Sequence, residues 1–146
     1  MPIETVLLAV GRDDDARMKR MAEAATDLAA TTGARVVVAH AFESQRAVDD
    51  ALDRLDSEGG SADDVTRRLE SVRVARTELQ AADVEFEVRG VVGEPGQAIS
   101  DLAGEIGADR VIVGGRRRSP TGKAVFGSTA QEILLSAPCP VTFVRE

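Results

Sequence analysis

The sequence predicts an α/β fold: a doubly wound parallel sheet covered by helices on both faces. Two observations carry this prediction. Apolar runs rich in valine and leucine, the first from Ile3 to Val10, alternate with stretches whose apolar residues recur at helical spacing. Five such runs are separated by segments long enough to cross over a sheet, and parallel neighbours need crossovers of that kind, which helices supply.

The elements follow in order. Ile3 to Val10 is nearly continuous in its apolar character, as expected of a central strand buried on both faces. Asp13 to Thr32 then carries Met18, Met21, Ala22, Ala25, Leu28 and Ala29 on one helical stripe. Acidic residues open that helix, and Gly33 can close it in the left-handed conformation. Arg35 to Ala41, dominated by Val36, Val37 and Val38, is the second strand.

The middle is less regular. Val48, Ala51, Leu52 and Leu55 predict a short helix, and Ser57-Glu58-Gly59-Gly60 is the most linker-like stretch in the chain. Ser61 and Asp64 have capping-box spacing, and Val65, Leu69, Val72 and Leu79 extend one long helix to about Ala82. Val84, Phe86, Val88 and Val91 mark the third strand. Gly93-Glu94-Pro95-Gly96 turns into a helix carrying Ile99, Leu102, Ala103 and Ile106, which Gly107 stops. Val111 to Val113 is a short buried strand, Gly127 to Ser136 a last helix with Ala130, Ile133 and Leu134 inward, and Val141 to Val144 a final strand.

Composition narrows the function. A chain of 146 residues, 43% hydrophobic and 29% charged, is expected to form one globular domain over residues 1–146. No apolar run approaches the roughly 20 residues of a membrane helix, and the N-terminus lacks the features of a secretory signal. A cytoplasmic location with no membrane partner is the expectation. Cys139 is the only cysteine, so neither an intrachain disulfide nor a cysteine-based zinc site is available. A net charge of −7, with four phenylalanines and neither Trp nor Tyr, argues against a nucleic-acid partner.

One segment stands apart. From Gly114 to Ser128 the chain carries Arg116, Arg117, Arg118 and Lys123 among glycines, with no carboxylate. It reads as a phosphate cradle, because free N–H groups at the start of the following helix, together with its dipole, favour anions. Charge runs are more often solvated surface, but the flanking glycines and the helix start at Gly127 outweigh that reading here. In doubly wound sheets, ligands bind beyond the carboxyl ends of the strands where the winding reverses. The two turns of most unusual composition, after the first strand at Gly11-Arg12-Asp13 and after the fourth at Gly114, are the natural pair to flank such a point.

Other chemistries fail on spacing. Thr121-Gly122-Lys123 hints at a Walker A loop, but Arg117 and Ala124 stand where that motif needs glycine and a hydroxyl. Gly11 alone does not make a dinucleotide fingerprint. His40, the single histidine, reads better as a structural residue satisfying backbone groups than as a catalytic one. No nucleophile elbow or metal-ligand spacing occurs, and no catalytic residue is assigned. With positioning groups but no evident base for an attacking water, any phosphoanhydride hydrolysis at the cradle is expected to be slow or partner-dependent.

The arrangement Gly114, Arg116, Ser119, then Gly127-Ser128-Thr129-Ala130 before an apolar helix and a Pro-Cys-Pro-Val strand, resembles the universal stress protein family across essentially the whole chain. Gly93-Glu94-Pro95 at a helix start adds to the resemblance. It implies a sheet of order 3-2-1-4-5 and, as ligand, ATP or another adenine nucleotide, with or without Mg2+. The implied contacts are Ala9 and Val10 at the end of the first strand with Gly11 and Asp13 after it, Ala41 at the adenine, and Val113, Gly114 and Arg116 at the ribose and phosphates. Gly127, Ser128, Thr129 and Ala130 then meet the phosphates.

Two departures qualify the likeness. ATP-binding relatives commonly carry an aspartate directly after the first strand, where this chain has Gly11, with Asp13 two residues on. Arg117 replaces the middle glycine of the family pattern, where a guanidinium can itself bind phosphate. The alternative is therefore a member of the same family that binds another anion or a protein partner without nucleotide. An uncharged β-prone final strand at a sheet edge, Val141 to Val144, predicts a homodimer, in keeping with the family.

Overall fold

The computed structural model describes residues 2–11, 15–55, 60–114 and 127–145. Its elements run β1 (Thr5–Ala9), α1 (Asp15–Thr32), β2 (Arg35–Phe42), α2 (Gln45–Arg54), α3 (Ala62–Arg67), α4 (Glu70–Ala81), β3 (Phe86–Val92), α5 (Pro95–Ile106), β4 (Arg110–Gly114), α6 (Ser128–Ser136) and β5 (Val141–Val144). The strands form one sheet of order β3-β2-β1-β4-β5 in which every neighbouring pair is parallel. Between β1 and β4 the winding direction reverses. The register there pairs Leu7 with Val111 and Leu8 with Ile112.

The pleat of each strand distributes its side chains between two cores. Val6, Leu8, Val36, Val38 and Ile112 pack with Met18 and Met21 of α1 and with Val72 and Leu79 of α4. Leu7, Val37, Ala39, Val111 and Val113 pack with Ile99 and Leu102 of α5 and with Ala130 and Ile133 of α6. Helices therefore cover both faces. Leu7, Leu8, Val36, Val37 and Val38 are wholly buried, and each such side chain contributes about 1.5–3 kcal/mol over an exposed one. That burial explains why the strand sequences are continuous rather than alternating.

Local signals end the helices where the residues require. Gly33 closes α1 at φ 75 and Gly107 closes α5 at φ 65, both in the left-handed region that glycine enters without steric cost. Glu94 caps α5, accepting from the Gly96 and Gln97 N–H groups, with Pro95 in the first turn. Ser61 and Asp64 form a reciprocal capping box at α3.

The single long helix expected from Ser61 to about Ala82 is two helices. Leu69 is extended, at φ −66 and ψ 138, and separates α3 from α4. The two halves serve different partners: α3 lies against β3, where Asp63 accepts from the Gly90 N–H, whereas α4 packs on α1. A straight helix cannot do both, and Val65 and Val72 keep helical spacing on either side of the break, so periodicity conceals it. Two strand ends also differ, since β1 begins at Thr5 rather than Ile3 and β3 at Phe86 rather than Val84. Leu134 is not inward: α6 buries Ala130 and Ile133, while Leu134 and Leu135 are 40% and 77% exposed. This short helix contacts α5 through one narrow stripe, which leaves its other faces open.

Candidate functional site

The switch point gathers most of the residues that the sequence marked. Ala9 and Val113 follow directly on Leu8 and Ile112, the last pair of the β1/β4 ladder, where Ala9 still pairs with Ala39 of β2 and Val113 with Phe143 of β5. Ala41 lies near the end of β2, opposite Val91 of β3. Ala9, Ala41, Val113 and Ala130 all belong to the core on the α5/α6 face, so four of the expected contacts share one side of the sheet edge.

Gly114 faces the other way, and its lack of a side chain has a steric cause. A Cβ there would stand 2.6 Å from Met21 Sδ and 2.7 Å from Arg17 Cδ. The glycine lets α1 cross close beneath the end of β4. Arg17, itself only 8% exposed, thus lies against the end of β4, a placement that a charged residue just before the apolar stripe does not announce.

Helix α6, whose Ala130 packs in the same core as Ala9, Ala41 and Val113, starts with N–H groups that no described residue accepts. Gln131 is the first residue whose N–H bonds within the helix, to the Gly127 carbonyl at 3.0 Å. The N–H groups of Ser128, Thr129 and Ala130 have no acceptor among the described residues, and Gly127, as the cap, has no side chain to supply one. Ser128 and Thr129 are exposed, with hydroxyls available beside those donors. Gly96 fixes where this helix begins: a Cβ there would meet Glu132 Cβ and Cγ at 2.5 and 2.6 Å and the Thr129 carbonyl at 3.3 Å. The first turn of α6 therefore rests on the first turn of α5.

The end of β1 is held from the opposite face. Val10 continues the ladder, its N–H donating to the Ala39 carbonyl at 2.8 Å. The Val10 carbonyl accepts from His40 Nδ1 at 2.7 Å, and the Gly11 carbonyl accepts from Ser71 Oγ at 3.0 Å. His40 packs edge-on against Phe42, ring centroids 4.7 Å apart, and satisfies backbone as its sequence context implied. Ser71 escaped the sequence reading: it is one small polar residue beside Val72 on the buried side of α4, and only the fold shows what it faces.

Asp13, Arg116 and Arg117 lie outside the described residues, as does most of the basic segment after Gly114. Among the described residues no cluster of three or more metal-ligating side chains occurs, and no helix is long and apolar enough to cross a membrane. Cys139 is half-buried, and burial pushes its thiol above the ordinary cysteine range. That shift lowers its reactivity rather than raising it.

The 3-2-1-4-5 parallel sheet with helices on both faces defines a doubly wound α/β protein. The sequence matches the universal stress protein family over residues 2–145, and the chain belongs to that family. It is 34% identical over 144 residues to a universal stress protein of Thermus aquaticus, covering 97% of this chain and 98% of that one. A universal stress protein structure from Archaeoglobus fulgidus is 30% identical, with a TM-score of 0.72, covering 97% of this chain and 98% of the other. A second structure from Archaeoglobus fulgidus, in complex with dAMP, shares the fold at 24% identity and a TM-score of 0.65, covering 99% of each chain.

Proposed function

We propose that this protein binds an adenine nucleotide at the β1/β4 switch point and works as a stress-response regulator in which nucleotide occupancy is the signal. The observation that carries the reading is the start of α6. Three successive N–H groups without a described acceptor, two exposed hydroxyls and a helix dipole converge at the first turn of α6, whose Ala130 shares a core with Ala9 and Val113, and this is the chemistry that a phosphate needs. Ala9 and Ala41, half-buried over the buried Val113 and Ala130, offer apolar surface for a base and sugar. Arg116 and Arg117, on the segment between Gly114 and Gly127, would supply counter-charge, and Asp13 would stand in for the carboxylate missing at Gly11. Universal stress proteins of this fold with cAMP, dAMP and AMP support the ligand class.

The protein is taken to act as one domain and as a homodimer. β5 lies at the sheet edge, and its uncharged sequence Val141-Thr142-Phe143-Val144 suits pairing with a second copy. A monomeric mass by light scattering at micromolar concentration would exclude the dimer. Gly11, which lacks the usual side chain, favours the second reading, a dimeric module that binds another anion or a protein partner instead. Denaturing the purified protein and identifying any released nucleotide, then titrating ATP with and without Mg2+, separates the two. Released adenine nucleotide, or saturable heat, is expected; neither, at millimolar ATP, would leave the second reading.

A further inference from the structure

The segment that leaves β1 at the switch point is tied from within by two buried side chains acting on consecutive carbonyls. His40 is 8% exposed and brings Nδ1 to 2.7 Å from the Val10 oxygen. A carbonyl can only accept, so Nδ1 carries the proton. Ser71 is 0% exposed and donates to the Gly11 oxygen at 3.0 Å, from a position 60 residues away in sequence. Buried polar groups cost stability unless satisfied, and alanine would fill the place of Ser71 in an apolar layer. Both side chains are spent on the same two peptide units.

The consequence lies in the groups on the other side of those units. A peptide is planar and trans, so its N–H points away from its carbonyl. With the Val10 oxygen drawn toward His40, the Gly11 N–H is turned the opposite way, and it has no acceptor among the described residues. Gly11 offers a ligand no side chain, so its backbone is what it can present.

We propose that His40 and Ser71 are positioning residues that aim the Gly11 N–H at an acceptor atom of the ligand, a phosphate or ribose oxygen of the nucleotide. The ligand half of this proposal rests on the nucleotide reading above. An aspartate at position 11 would keep this N–H and add acceptor oxygens beside it. With glycine only the backbone donor remains, which makes the end of β1 complementary to oxygen acceptors rather than to hydroxyl or amino protons.

The experiment compares Ser71→Ala, His40→Leu and His40→Asn with the unaltered chain, using ATP as the calorimetric probe. Asparagine keeps an N–H donor where Nδ1 stands, and leucine does not. Ser71→Ala and His40→Leu are expected to weaken ATP about tenfold, and His40→Asn by no more than about twofold. ATP affinity unchanged in Ser71→Ala, or equal losses in the two His40 variants, would overturn the positioning role. Two readouts need no nucleotide. Because His40 is the only histidine, a ring 15N spectrum at pH 8 reads its tautomer directly; the Nδ1–H form is expected, and the Nε2–H form would overturn the tie to Val10. Exchange of the Val10 amide should quicken in Ser71→Ala while the unfolding midpoint holds, and unchanged exchange would overturn the tie to Gly11. If the unaltered chain binds no ATP, the nucleotide reading fails and with it the ligand role of Gly11, while the tautomer and exchange data still decide the ties themselves.

Discussion

The two ends of β1 are held by opposite chemistry. At its start, Asp109 reaches across from the lead into β4 and accepts from the Glu4 and Thr5 N–H groups at 2.8 and 3.1 Å, while its own N–H donates to the Thr5 carbonyl at 2.8 Å. Donors there are consumed. At its end, His40 and Ser71 occupy the carbonyls of Val10 and Gly11, and the neighbouring donors, the Gly11 N–H and those at the start of α6, have no described acceptor. An edge that satisfies its own N–H groups contributes stability, and one that leaves them outward is equipped to take an anion. The same sheet thus separates a sealed edge from a receptive one.

The largest expected effect tests the steric basis of the receptive edge. Gly114→Val places a Cβ where Met21 and Arg17 already stand, and overpacking of this kind costs about 3 kcal/mol. A urea midpoint unchanged from the parent would mean that α1 shifts aside freely and that Gly114 is not fixed by close approach.

Much of this arrangement was legible in the sequence, and the reasons differ by element. β1 and β2 declared themselves because full burial demands continuous apolar residues, and the glycine stops at Gly33 and Gly107 because only an unbranched backbone enters the left-handed region cheaply. The strand order was not readable from periodicity, since a buried strand looks the same beside any neighbour; resemblance supplied it. The break at Leu69 was invisible because the pattern of burial runs through it. At the site, Gly114 and Gly127 stood out by composition. Ser71, Arg17 and Gly96 did not, as each acts through a contact distant in sequence. Ser71 touches Gly11, Arg17 touches the end of β4, and Gly96 seats α6.

A smaller effect probes the sealed edge by pH. The N–H groups of Glu4 and Thr5 hold the Asp109 carboxyl below the ordinary aspartate value of 3.8. A carboxyl more acidic in the folded state adds stability that is fully present above the unfolded value and is lost as pH falls through it toward the native one. Asp64, held down chiefly by the Ser61 N–H, acts in the same direction. Thermal unfolding of the parent should therefore weaken below about pH 4, and Asp109→Asn should flatten that acid limb and lower the midpoint at neutral pH. An acid limb as steep as the parent's would show that Asp109 does not seal the edge.

The smallest expected effect concerns Cys139, next to the sealed edge in the loop before β5. Burial raises its thiol, so alkylation at pH 8 should be slower than that of a free cysteine and should quicken when the protein is unfolded. Equal rates in the folded and unfolded chain would place the thiol outside the apolar layer.

The receptive edge itself is tested most directly by calorimetric titration of ATP into the parent, the pair of substitutions Gly127→Val with Ser128→Ala, and Arg118→Ala. If the start of α6 is the phosphate site, the paired substitutions weaken ATP by about tenfold or more, and Arg118→Ala costs clearly less. Equal losses in the two variants, or a parent that takes up no ATP at millimolar concentration, would contradict the account.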